Sequence, residues 1–208
     1  MTRQIETLDD VAEGAAWLAL REPRFAHVLE HTGPWPLRRS PDGFEALLDA
    51  IIGQQVSTAA ARAIAAKMKA AGLWSALQIA GADEDALRAA GLSRPKARYA
   101  LALVEARIDW NALRTRPDAE VHATLVALPG IGPWTAQIYT MFAVGRPDVL
   151  AAGDLALQEA TRHLFDLPAR PSDRELRVLA EAWSPWRAVA ARGLWAYYRH
   201  IKTKDGLR

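Results

Sequence analysis

The residue types and spacing best suited to chemistry occur in the stretch from Leu128 to Ala136, which is followed by a carboxylate at Asp154. Within it, Gly130 and Gly132 flank a single residue, so the backbone can turn tightly and approach another surface closely. Pro133 suits the first turn of a following helix. The pattern predicts two helices joined by a tight hairpin. Backbone N–H groups at such a turn favour anions, and phosphate is the expected ligand.

Asp154 is the candidate catalytic group. It follows a glycine and precedes an apolar-periodic segment, which is also the pattern of a helix N-cap. The two roles are compatible, because a carboxylate at a helix start is held in place and points away from the helix. Asp148 is the nearby competitor, but Pro147 and the apolar run after it predict a turn position there.

A second corner is predicted where an apolar helix breaks at Gly53 and another helix begins after Ser57. Between them lie Gln54 and Gln55. One interpretation is an ordinary corner with solvated glutamines. The functional interpretation is that the two amides project from a rigid corner into a groove.

Tryptophan is unusually frequent: the chain has eight, against four tyrosines and four phenylalanines. Most of these indoles are simply explained as core residues. Trp134 directly follows the hairpin and Trp195 lies on the predicted terminal helix, so these two are the candidates for a ligand pocket. Indole faces attract cations and stack on bases, and a pocket lined by them would suit a positively charged alkylated purine.

Composition excludes several classes of protein. There is no cysteine, so disulfides, zinc–thiolate sites and iron–sulfur clusters are ruled out. The five histidines suggest no metal-ligand spacing, and neither a Ser-His-Asp constellation nor a Walker sequence is present. No apolar run approaches the ~20 residues of a membrane span. We therefore expect a cytoplasmic protein with no cofactor and no metal held by side chains.

The segments read almost wholly as helix, which predicts an all-α domain with short connections. Thr7 and the Ser172–Glu175 capping box are the clearest N-terminal signals. The expected helices cover about 8–20, 23–32, 43–52, 58–71, 83–90, 93–108, 118–127, 133–144, 154–165, 172–183 and 185–199.

Four blocks together resemble the DNA-3-methyladenine glycosylase II family of helix-hairpin-helix base-excision glycosylases. They are 51–57, 128–136, 153–155 and 183–197, in the family's order. The resemblance implies one domain, 1–208, in a compact form without the extra N-terminal domain of longer members. Its two lobes would be about 1–41 with 150–208, and about 42–149, with the active-site cleft between them.

The resemblance also implies residue roles. Asp154 takes the catalytic position, and Gln55 takes that of the wedge that fills the gap left by a flipped nucleotide. Trp134 and Trp195 take pocket positions, and Ile138 stands where some members have a tyrosine. The other implied DNA-binding residues are Gln54, Ser57, Leu128, Gly130, Ile131, Gly132 and Thr135. A monovalent cation at the carbonyls of Leu128 and Ile131 is a further implication.

The position after Pro133 separates two reaction classes. Related glycosylases that also cut the strand use a lysine there as an amine nucleophile. This chain has Trp134 instead, and no lysine occurs between Lys96 and Lys202. We therefore expect hydrolytic release of alkylated bases from duplex DNA by a monomer, without strand cleavage.

Three alternatives remain open from the sequence. The first is a glycosylase of the same fold that acts on hypoxanthine or an oxidised purine, which Ile138 allows. The second is a non-catalytic helix-hairpin-helix module, which would not need Asp154 or the tryptophans. The third is a plain helical scaffold in which the hairpin is accidental.

Overall fold

The computed structural model describes residues 3–204, and these residues form helices and connections with no β-strand. The α-helices are, in chain order, α1 Leu8–Arg21, α2 Pro23–Thr32, α3 Phe44–Gly53, α4 Thr58–Ala70, α5 Ala76–Ala80, α6 Glu84–Ala89, α7 Arg94–Glu105, α8 Trp110–Thr115, α9 Asp118–Val126, α10 Pro133–Tyr139, α11 Leu155–Leu164, α12 Asp173–Leu179 and α13 Arg187–Lys204. A π-helix, Thr140–Val144, follows α10, and a 3-10 helix, Ala180–Trp183, follows α12. The predicted all-α class is confirmed.

Side chains cap most helix starts where the sequence predicts them. Thr7 accepts the Asp10 N–H at 3.2 Å, while the Thr7 N–H donates to the Asp10 carboxylate at 2.9 Å. The box at Ser172 and Glu175 has the same reciprocal bonds. Each box satisfies backbone donors that the first helical turn leaves unpaired. These local bonds explain why the helix starts could be predicted.

Several elements differ from the sequence prediction. Helices α5 and α8 were not predicted, because each is too short for an apolar repeat to show. The segment 133–144 was expected as one α-helix, but it changes to π-helix at Thr140. The last helix begins at Arg187 rather than Pro185 and extends to Lys204.

The chain divides into two compact units. One contains the described residues up to Arg39 and from Thr140 onward, and the other contains Ser40–Tyr139. The resemblance implies boundaries between the lobes at about 41 and 149. In the structure the boundaries between the two units follow Arg39 and Tyr139.

The first unit is organised around α13, which packs against α1, α2 and α11. The residues of α13 from Ala188 to Ala191 and Leu194 are fully buried. Small side chains here allow neighbouring helices to approach closely. This unit holds Asp154 at the start of α11 and Trp195 within α13.

The second unit is organised around α3 and α7. Helices α4 and α7 pack on α3, α5 and α6 pack on α7, and α10 packs against α9 and α3. Leu47, Leu48, Ile51 and Ile52 of α3 are fully buried. This unit holds the hairpin between α9 and α10.

No helix among residues 3–204 combines the length and apolarity needed to cross a bilayer.

Candidate active site

Asp154 is the N-cap of α11 and is held by the backbone of that helix. Its Oδ1 accepts the N–H of Ala156 at 2.9 Å and the N–H of Leu157 at 3.1 Å. The positive end of the helix dipole also favours a carboxylate at this position. The capping role predicted from the sequence is confirmed, and the backbone of α11 holds the carboxylate at Oδ1.

A third donor to the same oxygen comes from α13. The indole Nε1–H of Trp195 donates to Asp154 Oδ1 at 3.2 Å, across 41 positions of sequence. Only 9 % of Trp195 is exposed, so this bond joins a nearly buried ring to the carboxylate. Hydrogen bonds to an ionised group are stronger than neutral ones, and this one fixes the relation between the indole and the acid.

The π-helix supplies the neighbour of Trp195. Phe142 lies against the indole with ring centroids 5.7 Å apart and planes tilted by 38°. The Arg39 guanidinium donates to the carbonyls of Phe142 at 3.3 Å and Ala143 at 2.9 Å. Single π-helical turns often occur at functional sites. Here the turn presents an aromatic side chain to the indole.

Arg38 is a neighbour of Asp154 and Trp195 that the sequence did not reveal. Its guanidinium lies 5.4 Å from the Trp195 ring centroid. Desolvation and the charge of Arg199 lower the pKa of Arg38, and the negative charge of Asp154 partly offsets that effect. Arg38 occurs in a loop with left-handed backbone geometry (φ 49°), so no periodic pattern marks it.

Arg192 fixes the loop that carries Arg38. This fully buried side chain of α13 donates through Nε to the Leu37 carbonyl at 3.0 Å and through a terminal nitrogen to Ala188 at 2.7 Å. Burial, with the charges of Arg38 and Arg39, lowers the pKa of Arg192 to about 10. Arg192 therefore helps to hold the loop that carries Arg38, whose pKa responds to the charge of Asp154.

Asp148, the competitor for the catalytic role, is engaged elsewhere. Arg187 donates to both of its carboxylate oxygens at 2.7 and 2.8 Å, and the Ser184 hydroxyl donates at 2.8 Å. A carboxylate in a bidentate pair with arginine is strongly oriented. Asp148 thus ties the start of α13 to the preceding connection.

The hairpin is shaped by the close approach of one ring. Gly130 has φ +83°, and a Cβ at this position would lie 2.3 Å from the ring of Tyr99. Gly132 has no such neighbour within 4 Å. The two glycines therefore differ, since Gly130 serves the turn and its packing whereas Gly132 faces open space.

The turn leaves backbone donors at the start of α10. The Leu128 carbonyl accepts the Ile131 N–H at 3.1 Å, and the Gly132 carbonyl accepts the Ala136 N–H at 3.0 Å. Within residues 3–204, the N–H groups of Gly132 and Thr135 have no protein acceptor. The side chains of Leu128, Ile131 and Thr135 are buried, so their contribution to binding would come from the backbone.

The glutamine corner behaves differently at its two positions. Gln54 donates through Nε2 to the Gly130 carbonyl at 2.7 Å. Its amide therefore supports the hairpin, and the expected contacts of Gln54 and Gln55 with DNA stay predictions. Gln55 is exposed and has left-handed backbone geometry (φ 55°), and the Ser57 hydroxyl caps α4 through the Ala60 N–H.

Lys96 is a further support that sequence analysis missed. Its Nζ donates to the carbonyls of Ile52 at 2.8 Å and Gln54 at 2.7 Å, the orphan acceptors at the end of α3. Burial lowers the pKa of this ammonium. Through Lys96 and Gln54, α7, the end of α3 and the hairpin form one hydrogen-bonded assembly.

The remaining pocket candidates lie on α10. Trp134 is 48 % exposed, which is high for an indole, and Ile138 is partly buried. Their roles in base binding stay predictions.

One side-chain cluster corrects the expectation that the histidines lack metal-ligand spacing. His27, Glu30 and His31 offer ligand atoms that all lie within 4.8 Å of one another. They occupy one face of α2, because residues three and four apart on a helix are neighbours. The sequence contained this signal in the four-residue spacing of the two histidines.

Comparison with known proteins gives a consistent family. Residues 48–187 match the model of the HhH-GPD superfamily base excision DNA repair proteins. A probable bifunctional transcriptional activator/DNA repair enzyme AlkA of Mycobacterium tuberculosis is 33 % identical over 95 % of this chain. The chain spans only 42 % of the length of that relative.

Two solved structures share the fold over nearly their whole length. A DNA-3-methyladenine glycosidase from Bacillus halodurans has a TM-score of 0.83 and 28 % identity, and covers 97 % of this chain and 94 % of its own. The 3-methyladenine DNA glycosylase Mag1 of Schizosaccharomyces pombe, in complex with abasic DNA, has a TM-score of 0.77 and 25 % identity. The match covers 93 % of this chain and 97 % of the Mag1 chain.

Proposed function

Because the chain belongs to the HhH-GPD superfamily of base excision DNA repair proteins, we propose that it is a glycosylase that hydrolyses alkylated bases from duplex DNA. The expected bases are 3-methyladenine, 7-methylguanine and related cationic purines. The observation that carries the proposal is Asp154, a carboxylate fixed by two backbone N–H groups and the Trp195 indole. A non-catalytic module would not need that arrangement.

The proposed role of Asp154 is electrostatic. As the bond between base and sugar breaks, positive charge develops on the sugar, and a preorganised carboxylate stabilises it. Alkylation at N3 or N7 already makes the purine a good leaving group, so little general-acid assistance is needed. Three donors on Oδ1 hold the carboxylate in position, and the same acid can guide the attacking water.

The proposed role of the hairpin is to hold the DNA backbone. The N–H groups of Gly132 and Thr135 supply donors for a phosphate, and Gln54 and Tyr99 keep the turn in shape. Exposed Gln55 is proposed as the residue that enters the gap left by the flipped nucleotide. Flipping costs a few kcal/mol and is easier at damaged pairs, which contributes selectivity.

The chain has no lysine at the position where strand-cutting glycosylases carry their nucleophile, so we propose hydrolysis without strand cleavage. Trp134 follows Pro133, and no lysine lies between Lys96 and Lys202. Lys96 itself is engaged with two carbonyls of α3. We therefore expect base release by water with the sugar–phosphate backbone left intact, so borohydride should trap no enzyme–DNA adduct.

A second candidate function is supported by Arg38. Its guanidinium already lies 5.4 Å from the Trp195 ring, where it competes with a cationic base for the negative face of the indole. A neutral lesion such as hypoxanthine would not face that competition. Release of hypoxanthine in preference to methylated purines would favour this candidate.

The test is to incubate the protein with methylated duplex DNA and with hypoxanthine-containing duplex DNA, and to identify the released bases by chromatography. We expect 3-methyladenine and 7-methylguanine from the wild type and neither from Asp154→Asn. Release at equal rates by both proteins would refute the proposed mechanism. The protein is expected to act as a monomer in the cytoplasm, at the nucleoid if bacterial.

A further inference from the structure

The sequence His27-Val28-Leu29-Glu30-His31 places two imidazoles and a carboxylate on one face of α2. The two imidazole rings have centroids 4.0 Å apart, and all three side chains are exposed. Their potential ligand atoms lie within 4.8 Å of one another. In tetrahedral zinc sites the metal–nitrogen distance of 2.0–2.1 Å puts ligand atoms about 3.4 Å apart. Small rotamer changes of exposed side chains would close that difference.

The hydrogen bond of His31 selects the tautomer that a metal ligand needs. Its Nδ1 lies 2.8 Å from the His27 carbonyl oxygen, which can only accept a hydrogen bond. The Nδ1 atom therefore carries the proton, and Nε2 presents a lone pair. Histidines that bind metals usually donate their other ring N–H to a carbonyl or carboxylate, which fixes the ring. His31 thus has one ring nitrogen engaged with the backbone of α2, and Nε2 is its candidate ligand atom.

The carboxylate of Glu30 is available to complete the set. Among residues 3–204 it forms no ion pair and no side-chain hydrogen bond, unlike Glu159, which pairs with Arg162. Two rings of α13 also contact the cluster. Tyr197 meets His27 edge to face at 6.1 Å, and His200 lies 5.6 Å from His31. The rings of α13 shelter one side of the cluster, and the other side is open to water.

We propose that His27, Glu30 and His31 form a surface zinc site, with water as the fourth ligand. Two imidazoles and one carboxylate are a common zinc donor set, whereas Mg²⁺ and Ca²⁺ require mainly oxygen ligands. The site lies in the unit that carries Asp154, but it rests on α2 alone and does not depend on glycosylase activity. Bound zinc is expected to stabilise α2, because metal binding to the native state is linked to folding.

The experiment is calorimetric titration of metal-free protein with Zn²⁺ alone. We expect one equivalent to bind to the wild type, and both His27→Ala and His31→Ala to weaken binding by about tenfold or more. His163→Ala is the matched control, because His163 also has a glutamate one turn away but no second histidine beside it. That control should bind as the wild type does. Equal binding by His31→Ala and the wild type would overturn the proposal, as would a wild type that takes up no zinc.

A second variant and a second readout guard against loss of folding. Glu30→Gln keeps the size of the side chain but removes the charged ligand, and it should also weaken binding while circular dichroism stays unchanged. In NMR spectra of the imidazoles, Zn²⁺ should shift the signals of His27 and His31 and leave His163 in place, and Mg²⁺ should shift none. Shifts confined to other histidines would contradict the assignment.

Discussion

The surroundings of Asp154 and the hairpin at Gly130 are both rigid, but opposite kinds of contact make them so. At Asp154, three N–H donors converge on one charged oxygen. At Gly130, the backbone carbonyl accepts one hydrogen bond from the side-chain amide of Gln54. The position of the turn is set by how closely the Tyr99 ring approaches. The first region is held by charge, and the second is held by shape.

This difference predicts different sensitivities. A change of charge at Asp154 should remove chemistry and preserve the fold, because an uncharged amide still accepts hydrogen bonds. A change of volume at Gly130 should damage the fold with no change of charge. The structure thus separates a residue that we propose acts in the reaction from a residue needed for shape, and five substitutions measure how complete that separation is.

The largest expected effect is that of Asp154→Asn. Asparagine caps helices as well as aspartate does, so α11 should form normally. Loss of the negative charge should slow base release by about a thousandfold, comparable to the loss of a principal electrostatic group in other enzymes. Single-turnover release from methylated duplex DNA measures the rate. Asp85→Asn, at an exposed carboxylate in the other unit, is the control and should leave the rate unchanged.

The next effect is that of Gly130→Ala against Gly132→Ala. An added Cβ at Gly130 would meet the Tyr99 ring and would have to adopt a positive φ, so the free energy of unfolding should fall by about 3 kcal/mol. At Gly132 nothing lies within 4 Å, and stability should hardly change. Urea denaturation compares the two variants. Equal losses of stability would contradict the distinction between the two glycines.

Lys96→Met should have a smaller effect on the same region. It removes the two hydrogen bonds from the ammonium to the end of α3 while keeping an unbranched apolar side chain of similar length. The expected loss is about 2 kcal/mol in the free energy of unfolding. The variant should also weaken DNA binding if the corner positions Gln55. Lys67→Met, at an exposed lysine of α4, serves as the control for charge.

Trp195→Phe is expected to have the smallest effect. Phenylalanine keeps an aromatic ring beside Phe142 but lacks the N–H that binds Asp154 at 3.2 Å. Base release should slow by about tenfold, equivalent to about 1.4 kcal/mol in the activation free energy. Binding to undamaged DNA should stay constant in an electrophoretic mobility assay. A fall in binding without a fall in the release rate would mean that the indole acts on affinity alone.

Features that depend on neighbours in sequence were predicted well. The caps at Thr7, Ser57 and Ser172 need only residues within one helical turn, and the glycine hairpin needs only its own sequence. Helices α5 and α8 were not predicted, because one or two turns carry too little hydrophobic periodicity. The four-residue spacing of His27 and His31 is likewise a local feature of the sequence.

The candidate site was predicted less completely, because its contacts join distant positions. Nothing in the sequence near Lys96 indicates that its ammonium group binds the carbonyls at the end of α3, which lies more than forty residues earlier. Arg38 lies over Trp195, and Arg192, more than 150 residues later, binds the carbonyl of the preceding Leu37. The sequence did not predict that Gln54 donates to the Gly130 carbonyl of the hairpin. Polar side chains at a corner can turn either way, and only their surroundings decide.

By itself, the sequence determined that the chain is helical, where most helices begin, that the hairpin and Asp154 are the candidate groups, and that no lysine nucleophile follows the hairpin. Those conclusions rest on local backbone preferences and on residue identity. The tertiary structure decided that the Trp195 indole also binds Asp154, that Gly130 rather than Gly132 packs against a ring, and that Arg38 lies near the acid. Each of these depends on the packing of residues far apart in the chain, and distance in space cannot be read from distance in sequence.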